Sequence, residues 1–217
     1  DLAATLALTA YSAAVAAGFA RVFSGWGFLA DLSLLVVVPH AVSFGLRRAR
    51  LSGWLATPIV AVVALWLMLA MRYGHTFTGP FPGRGTWQLL DLELDLVRAQ
   101  FPTAVAPVIY EVGWAAMAAF AVVLVAVLGD TFAFRAHARG EALVPGLVLF
   151  VFVAALGDDR LRVTLTALLI GTGVIAVVAL RHYHDPTARV ARGGDGRRSA
   201  SMVVPAAAAT AVAIAGI

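Results

Sequence analysis

The feature of this sequence that most limits its fold is a series of apolar runs, each nearly free of charge. The first run, residues 2–20, contains no charged residue, and comparable runs recur along the 217 residues. A helix needs roughly 20 apolar residues to cross the hydrocarbon core of a bilayer. A transmembrane barrel would instead show short segments of alternating polarity, and these are not seen. The pattern predicts an all-α fold, a polytopic helical bundle in a membrane.

The composition agrees with this prediction, since 61% of the residues are apolar and 13% are charged, against about half and about one quarter in soluble domains. We predict one transmembrane module over residues 1–217, with six to seven transmembrane helices. The candidate spans are 2–20, 28–46, 53–71, 108–128, 142–157, 161–180 and 202–217. The last span is predicted to be truncated, because its 16 residues would reach only about 24 Å as a helix, against a core of about 30 Å.

The arginines predict the orientation of the bundle, because loops on the cytoplasmic side of a membrane are enriched in basic residues. With the N-terminus inside, the inner loops hold ten arginines and the outer loops hold six. We therefore expect a multi-pass protein of the bacterial cytoplasmic membrane, with its N-terminus cytoplasmic and position 217 outside. The inner set is Arg47, Arg48, Arg50, Arg135, Arg139, Arg181, Arg189, Arg192, Arg197 and Arg198, five of them in a basic linker at 181–200.

The outer loop, residues 72–107, carries a segment with two competing patterns. Leu90, Leu94, Val97 and Phe101 recur at helical spacing, whereas the acidic and leucine residues between 90 and 96 alternate as in a strand. A lone strand has no partner for its backbone groups. We therefore expect an amphipathic, extracytoplasmic helix on the outer membrane surface.

Several kinds of chemistry are excluded by what the sequence lacks. It has no cysteine and no lysine, so thiolate zinc sites, cysteine nucleophiles and Schiff-base lysines cannot form. No nucleotide-binding or hydrolase motif is present. His182, His184 and Asp185 match no zinc motif. We predict no catalytic residues, no cofactor and no metal, and no nucleic-acid partner, because the basic residues flank membrane spans.

Ionisable residues inside the spans are the candidate functional residues, since a charge in lipid is costly. Asp31 and Glu111 lie near the outer ends of two spans, and His40 lies deeper. Their possible countercharges are Arg21, Arg72 and Arg98. Asp31 and His40 are nine residues apart and so lie on opposite faces of one helix. The alternatives are an outward-facing polar pocket or interfacial carboxylates paired with arginine, and for His40 a proton relay or a hydrogen bond to a neighbouring helix.

Two other groups of residues are predicted to lie at the membrane boundary. Asp130 and Arg135 are predicted to close the inner end of the fourth span by reaching the headgroups. The aromatic residues are predicted to form interfacial belts. The outer belt would contain Trp26, Trp87, Trp114, Tyr73 and Tyr110, and the inner belt Trp54 and Tyr183.

Five segments between residues 96 and 185 resemble TgpA-type transglutaminase-fold membrane proteins of actinobacteria. They are residues 96–107, 130–135, 141–146, 150–157 followed by 159–162, and 180–185, whereas residues 1–95 match only in their hydrophobic layout. The resemblance implies a multi-span region, then an extracytoplasmic transglutaminase-like domain with a Cys-His-Asp triad, and a last membrane anchor. It also implies a MoxR-type ATPase and a von Willebrand-like protein as partners.

Two functions from different classes follow as hypotheses. The first is a membrane module that anchors and positions a downstream transglutaminase-like domain, with a role in cell-envelope maintenance. The alternative is a small transporter or channel that uses Asp31, Glu111 and His40. An intramembrane enzyme is disfavoured, because no nucleophile and base are paired in the sequence.

Overall fold

The computed structural model describes residues 1–185, and most of them are helical. Within this range, the chain forms seven α-helices and a small antiparallel hairpin. The helices are α1 (Leu2–Ala17), α2 (Gly27–Arg48), α3 (Gly53–Tyr73), α4 (Arg84–Gln100), α5 (Val112–Phe134), α6 (Val144–Leu156) and α7 (Arg162–His184). Short 3₁₀ turns at Gly18–Arg21, Gly74–Thr76 and Glu141–Leu143 extend α1 and α3 and lead into α6. The hairpin pairs β1 (Phe77–Thr78) with β2 (Phe81–Pro82).

Among residues 1–185, five helices are long and apolar enough to cross a membrane: α1 and α3 with their 3₁₀ extensions, and α2, α5 and α7. Many of their large apolar side chains point outward, among them Val62 at 65% and Val163 at 81% exposed. Such a surface suits lipid and not water. The structure therefore confirms the prediction of a helical bundle with helices of membrane-spanning length. The sixth apolar helix, α6, is shorter, and the predicted span 202–217 lies outside the described residues.

Small residues allow the helices to approach one another closely. α1 packs between α7 and α2, and α5 packs against α2, α3 and α6. Alanines form much of the buried surface of α1 and α5. Fully buried examples are Ala14, Ala16, Ala115, Ala119 and Ala126.

The bundle has two ends, which we name after an arginine at each. At the Arg47 end, the side chain of Arg47 meets Asp1 at the start of the chain (Nε to Oδ1, 3.3 Å). At the Arg72 end, Arg72 meets Asp31 near the start of α2. The end of α6 also joins the end of α1 there, where the Asp158 N–H donates to the Arg21 carbonyl over 2.9 Å.

The helix predicted near residues 86–101 is present as α4, and the strand alternative is wrong. α4 lies across the Arg72 end, where the Tyr73 hydroxyl donates to Glu93 Oε2 over 2.6 Å. Its closest approach is at Gly113 of α5, where an added Cβ would lie 2.8 Å from the Glu93 carbonyl oxygen. α4 is thus fixed to the end of α3 and the start of α5.

One span and the basic linker differ most from their predicted bounds. The span predicted at 108–128 begins at Val112 and continues to Phe134. Its start is delayed because the Val108 backbone bonds to Val22 and Ser24 outside any helix. The basic linker predicted at 181–200 begins later, because Arg181–His184 form the last turn of α7.

Candidate functional site: a buried polar network in the bundle

The central feature of the network is an ion pair between α2 and α5. Asp130 is only 2% exposed, and its Oδ1 lies 2.7 Å from Nη1 of Arg47. The Ser43 hydroxyl donates to the other carboxylate oxygen, Oδ2, and accepts from Arg47 Nη1 over 3.0 Å. A charge in the interior is tolerated when it is paired and hydrogen-bonded in this way.

The Arg47 guanidinium also joins α1 to this pair. Its Nη2 donates to Thr5 Oγ1 over 2.7 Å, and its Nε lies 3.3 Å from the Asp1 carboxylate. The guanidinium carbon lies 3.7 Å from the centre of the Phe134 ring, which adds a cation–π contact. One side chain therefore connects α1, α2 and α5.

His40 extends the network toward the middle of the bundle. It is 1% exposed, and its Nε2 lies 3.1 Å from Ser12 Oγ of α1. The hydrogen-bonding partner is thus on a neighbouring helix. His40 Nδ1 lies 3.8 Å from Asp130 Oδ1 and has no hydrogen-bond partner within residues 1–185. His40 and Asp130 are therefore buried neighbours inside the bundle.

The prediction that Asp130 and Arg135 end the span at the headgroups was wrong for Asp130. Because α5 continues to Phe134, Asp130 lies inside the helix and not at its end. Arg135, at the helix end, donates to the Gly53 carbonyl over 3.1 Å. A sequence signal for the pair existed, since Arg47 and Asp130 have opposite charges near the same ends of two predicted spans.

A second polar cluster at the Arg72 end contains Asp31. Arg72 Nη2 lies 2.5 Å from Asp31 Oδ2 and also donates to the Tyr110 hydroxyl. Burial raises the pKa of Tyr110 to about 12, so the phenol keeps its proton at neutral pH. The Phe23 ring packs edge-on against Tyr110 with centroids 4.8 Å apart. Of the three arginines proposed as countercharges, Arg72 is the one at Asp31.

The other two arginines have partners elsewhere. Arg21 donates to the Asp158 carbonyl over 2.7 Å and lies 3.9 Å from Asp159. Arg98 pairs with Asp95 on its own helix, at 2.7 Å.

Glu111 is separate from both clusters. It is exposed and occupies the N-cap position of α5, and its side chain makes no capping hydrogen bond. The positive end of the helix dipole favours a carboxylate there. Asp31, His40 and Glu111 therefore do not converge on one site.

The aromatic and histidine residues at the boundaries divide into exposed and packed groups. Trp54 is 78% exposed, whereas Tyr73 is fully buried and Tyr183 packs edge-on against Phe134. His184 Nε2 lies 2.9 Å from the Ala133 carbonyl oxygen. Within residues 1–185, no three histidine, aspartate or glutamate side chains are placed to hold a metal ion.

Comparison with known proteins gives no relative, since no family model, no curated protein and no solved structure matches this chain. The resemblance of residues 96–185 to the TgpA-type family is therefore a proposal.

Proposed function

We propose that this chain is a membrane-embedded module that anchors and positions a downstream, extracytoplasmic transglutaminase-like domain with a Cys-His-Asp triad. The observation that carries the proposal is the apolar layer between the two polar clusters. Leu32, Leu35 and Val36, all on α2, are at most 1% exposed and lie between Asp31 and His40 in the chain. A packed apolar layer supports a static bundle over a conducting one, because a charged substrate would have to be desolvated to cross it.

The fixed position of α4 supports the positioning role. Its contacts with Tyr73 and Gly113 attach an amphipathic helix firmly to the Arg72 end. The arginine asymmetry makes this the outer end in the proposed orientation. α4 would then present its polar side to the compartment in which the downstream domain is expected.

The family resemblance supplies the chemistry of the proposal. The similar segments lie between residues 96 and 185, a range that contains the end of α4 and all of α5, α6 and α7 and makes up about half of the described residues. By the same analogy, the partners are a MoxR-type ATPase and a von Willebrand-like protein, and the process is envelope maintenance. The predicted span 202–217 would return the chain to the outer side before the domain begins.

The complete polypeptide tests this function. We expect the gene to encode, after position 217, a segment with a cysteine, a histidine and an aspartate in a transglutaminase-like order. That segment, expressed without the last membrane anchor that the resemblance implies, should fractionate with membranes when residues 1–217 are present and remain soluble when they are deleted. A continuation without such a triad would refute the proposal.

Transport by Asp31, His40 and Glu111 is the alternative, and proteoliposomes distinguish it. We expect the permeability of the vesicles to protons and small ions to be the same with and without the protein. A flux that Asp31→Asn or Glu111→Gln abolishes would favour the transporter.

The proposed orientation gives a second test, because the chain has no cysteine of its own. A cysteine at Thr78, in the hairpin at the Arg72 end, should react in intact cells with a membrane-impermeant maleimide. A cysteine at Ser199 should react only after the membrane is permeabilised. The reverse pattern of labelling would invert the topology.

A further inference from the structure

The arginines at the Arg72 end are neutralised within the protein. Five of the six have a carboxylate within 4.0 Å: Arg21 and Arg162 meet Asp159, Arg72 meets Asp31, Arg98 meets Asp95 and Arg160 meets Asp158. Arg84 is the exception within the described part of the chain. This end therefore needs few external anions.

The Arg47 end shows the opposite arrangement. Arg47 takes the carboxylates of both Asp1 and Asp130. Five other arginines at this end have no ion pair with any residue of the 1–185 range, and we call them the arginine rim. They are Arg48, Arg50, Arg135, Arg139 and Arg181.

The protein groups next to the rim arginines do not balance their positive charges. Arg48 lies over the Phe44 ring at 5.1 Å, and Arg135 bonds to a backbone carbonyl. Within residues 1–185, the other carboxylates at this end are those of Glu141 and Asp185, which are too few to balance five guanidinium groups. Positive charge therefore remains in excess at one end of the bundle.

The rim borders directly on lipid-facing apolar surface. Trp54, the second residue of α3, is 78% exposed, and Leu51 and Leu55 beside it are 38% and 42% exposed. Tryptophan is enriched at the membrane–water interface. An anion bound here would have apolar surface next to it on the membrane side.

From this arrangement we propose that the arginine rim binds the phosphate headgroups of anionic phospholipids. The guanidinium fork matches two phosphate oxygens, and basic residues beside a membrane span attract an anionic leaflet. The adjoining Trp54 and Leu55 give the acyl chains of the same lipid a surface to cover. This second contact distinguishes a lipid from a free phosphate ion, which has no apolar part.

The test compares two double variants that remove equal charge from opposite ends of the bundle. Arg48→Gln/Arg139→Gln alters the rim, and Arg84→Gln/Arg98→Gln alters the Arg72 end. Each purified, delipidated protein is titrated in neutral detergent with phosphatidylglycerol, phosphatidylcholine or inorganic phosphate. Native mass spectrometry counts the bound lipid, and the thermal midpoint follows binding independently.

The wild-type protein should bind phosphatidylglycerol in preference to phosphatidylcholine, with a matching rise in the thermal midpoint. Each arginine at an anionic surface is worth roughly a fivefold change in affinity, so the rim variant should bind about 25-fold more weakly. The control variant should keep wild-type affinity.

Three results would overturn the proposal. The first is equal binding of both lipids by the wild-type protein. The second is an equal loss of affinity in both double variants, which would indicate general charge attraction. The third is inorganic phosphate that raises the thermal midpoint as much as phosphatidylglycerol at the same concentration, which would make the rim a site for the free ion.

Discussion

Asp130→Ala should destabilise the bundle by about 3–5 kcal/mol, because it leaves the Arg47 guanidinium inside the bundle without its closest carboxylate. Ser43 loses its acceptor in the same variant. The measurement is reversible unfolding in mixed detergent micelles, followed by circular dichroism.

A matched control removes an aspartate from an exposed ion pair. In the pair of Asp95 with Arg98, the side chains are 59% and 80% exposed, so Asp95→Ala should cost less than about 1 kcal/mol. A double variant, Asp130→Leu with Arg47→Met, should recover most of the lost stability, since replacing both charges removes the unpaired one. If Asp130→Ala and Asp95→Ala lower the free energy of unfolding equally, the buried ion pair contributes no more to stability than the exposed one.

Gly113→Ala should detach α4 from the Arg72 end at a cost of about 1–3 kcal/mol. An added Cβ would lie 2.7 Å from Val97 Cγ2 and 2.8 Å from the Glu93 carbonyl oxygen. The second contact is with backbone, so α4 itself has to move. The hydrogen bond between Tyr73 and Glu93 should then break.

The matched control for this variant is Gly171→Ala in α7, where an added Cβ meets nothing within 4 Å. There the change should be neutral or stabilise the helix by up to about 1 kcal/mol. Limited proteolysis between α4 and α5, together with the unfolding curve, reports the detachment. If the Gly113→Ala variant is cleaved between α4 and α5 no faster than the Gly171→Ala variant, the close approach of α4 to α5 is not maintained in solution.

Hydropathy was sufficient to locate the helices, because a membrane span requires a long apolar run whatever its neighbours are. Periodicity located α4, whose apolar side chains recur at helical spacing. The boundary of α5 was predicted less well, since Asp130 resembles the polar end of a span. The residue is tolerated within the helix because of Arg47, which comes from a different helix 83 residues away. Pairings of this kind depend on which helices are neighbours, and periodicity carries no information about that.

The same limit applies to the aromatic residues. Tyr73 and Tyr110 lie at a membrane boundary in sequence, as belt residues do, but each has its hydroxyl bonded inside the protein. Trp54 has no such contact in the structure's described range and is exposed. The position of these residues beside the predicted spans indicates only that they lie near a membrane boundary. Which side of the helix faced protein was decided by packing.

The shortness of α6 has a consequence for the surrounding bilayer. α6 has 13 residues, about 20 Å of helix, and its neighbour α5 has 23, about 35 Å. α6 begins beside Tyr11, whose hydroxyl donates to the Leu143 carbonyl over 2.8 Å. Tyr11 lies in the second half of α1, so α6 begins farther from the Arg47 end than α1 does. The apolar surface that α6 offers to lipid is therefore shorter along the helix axis than that of α5. The bilayer in contact with α6 has to become thinner to avoid hydrophobic mismatch. We therefore expect the protein to gather shorter-chain lipid along one side and to partition into thinner regions of the membrane.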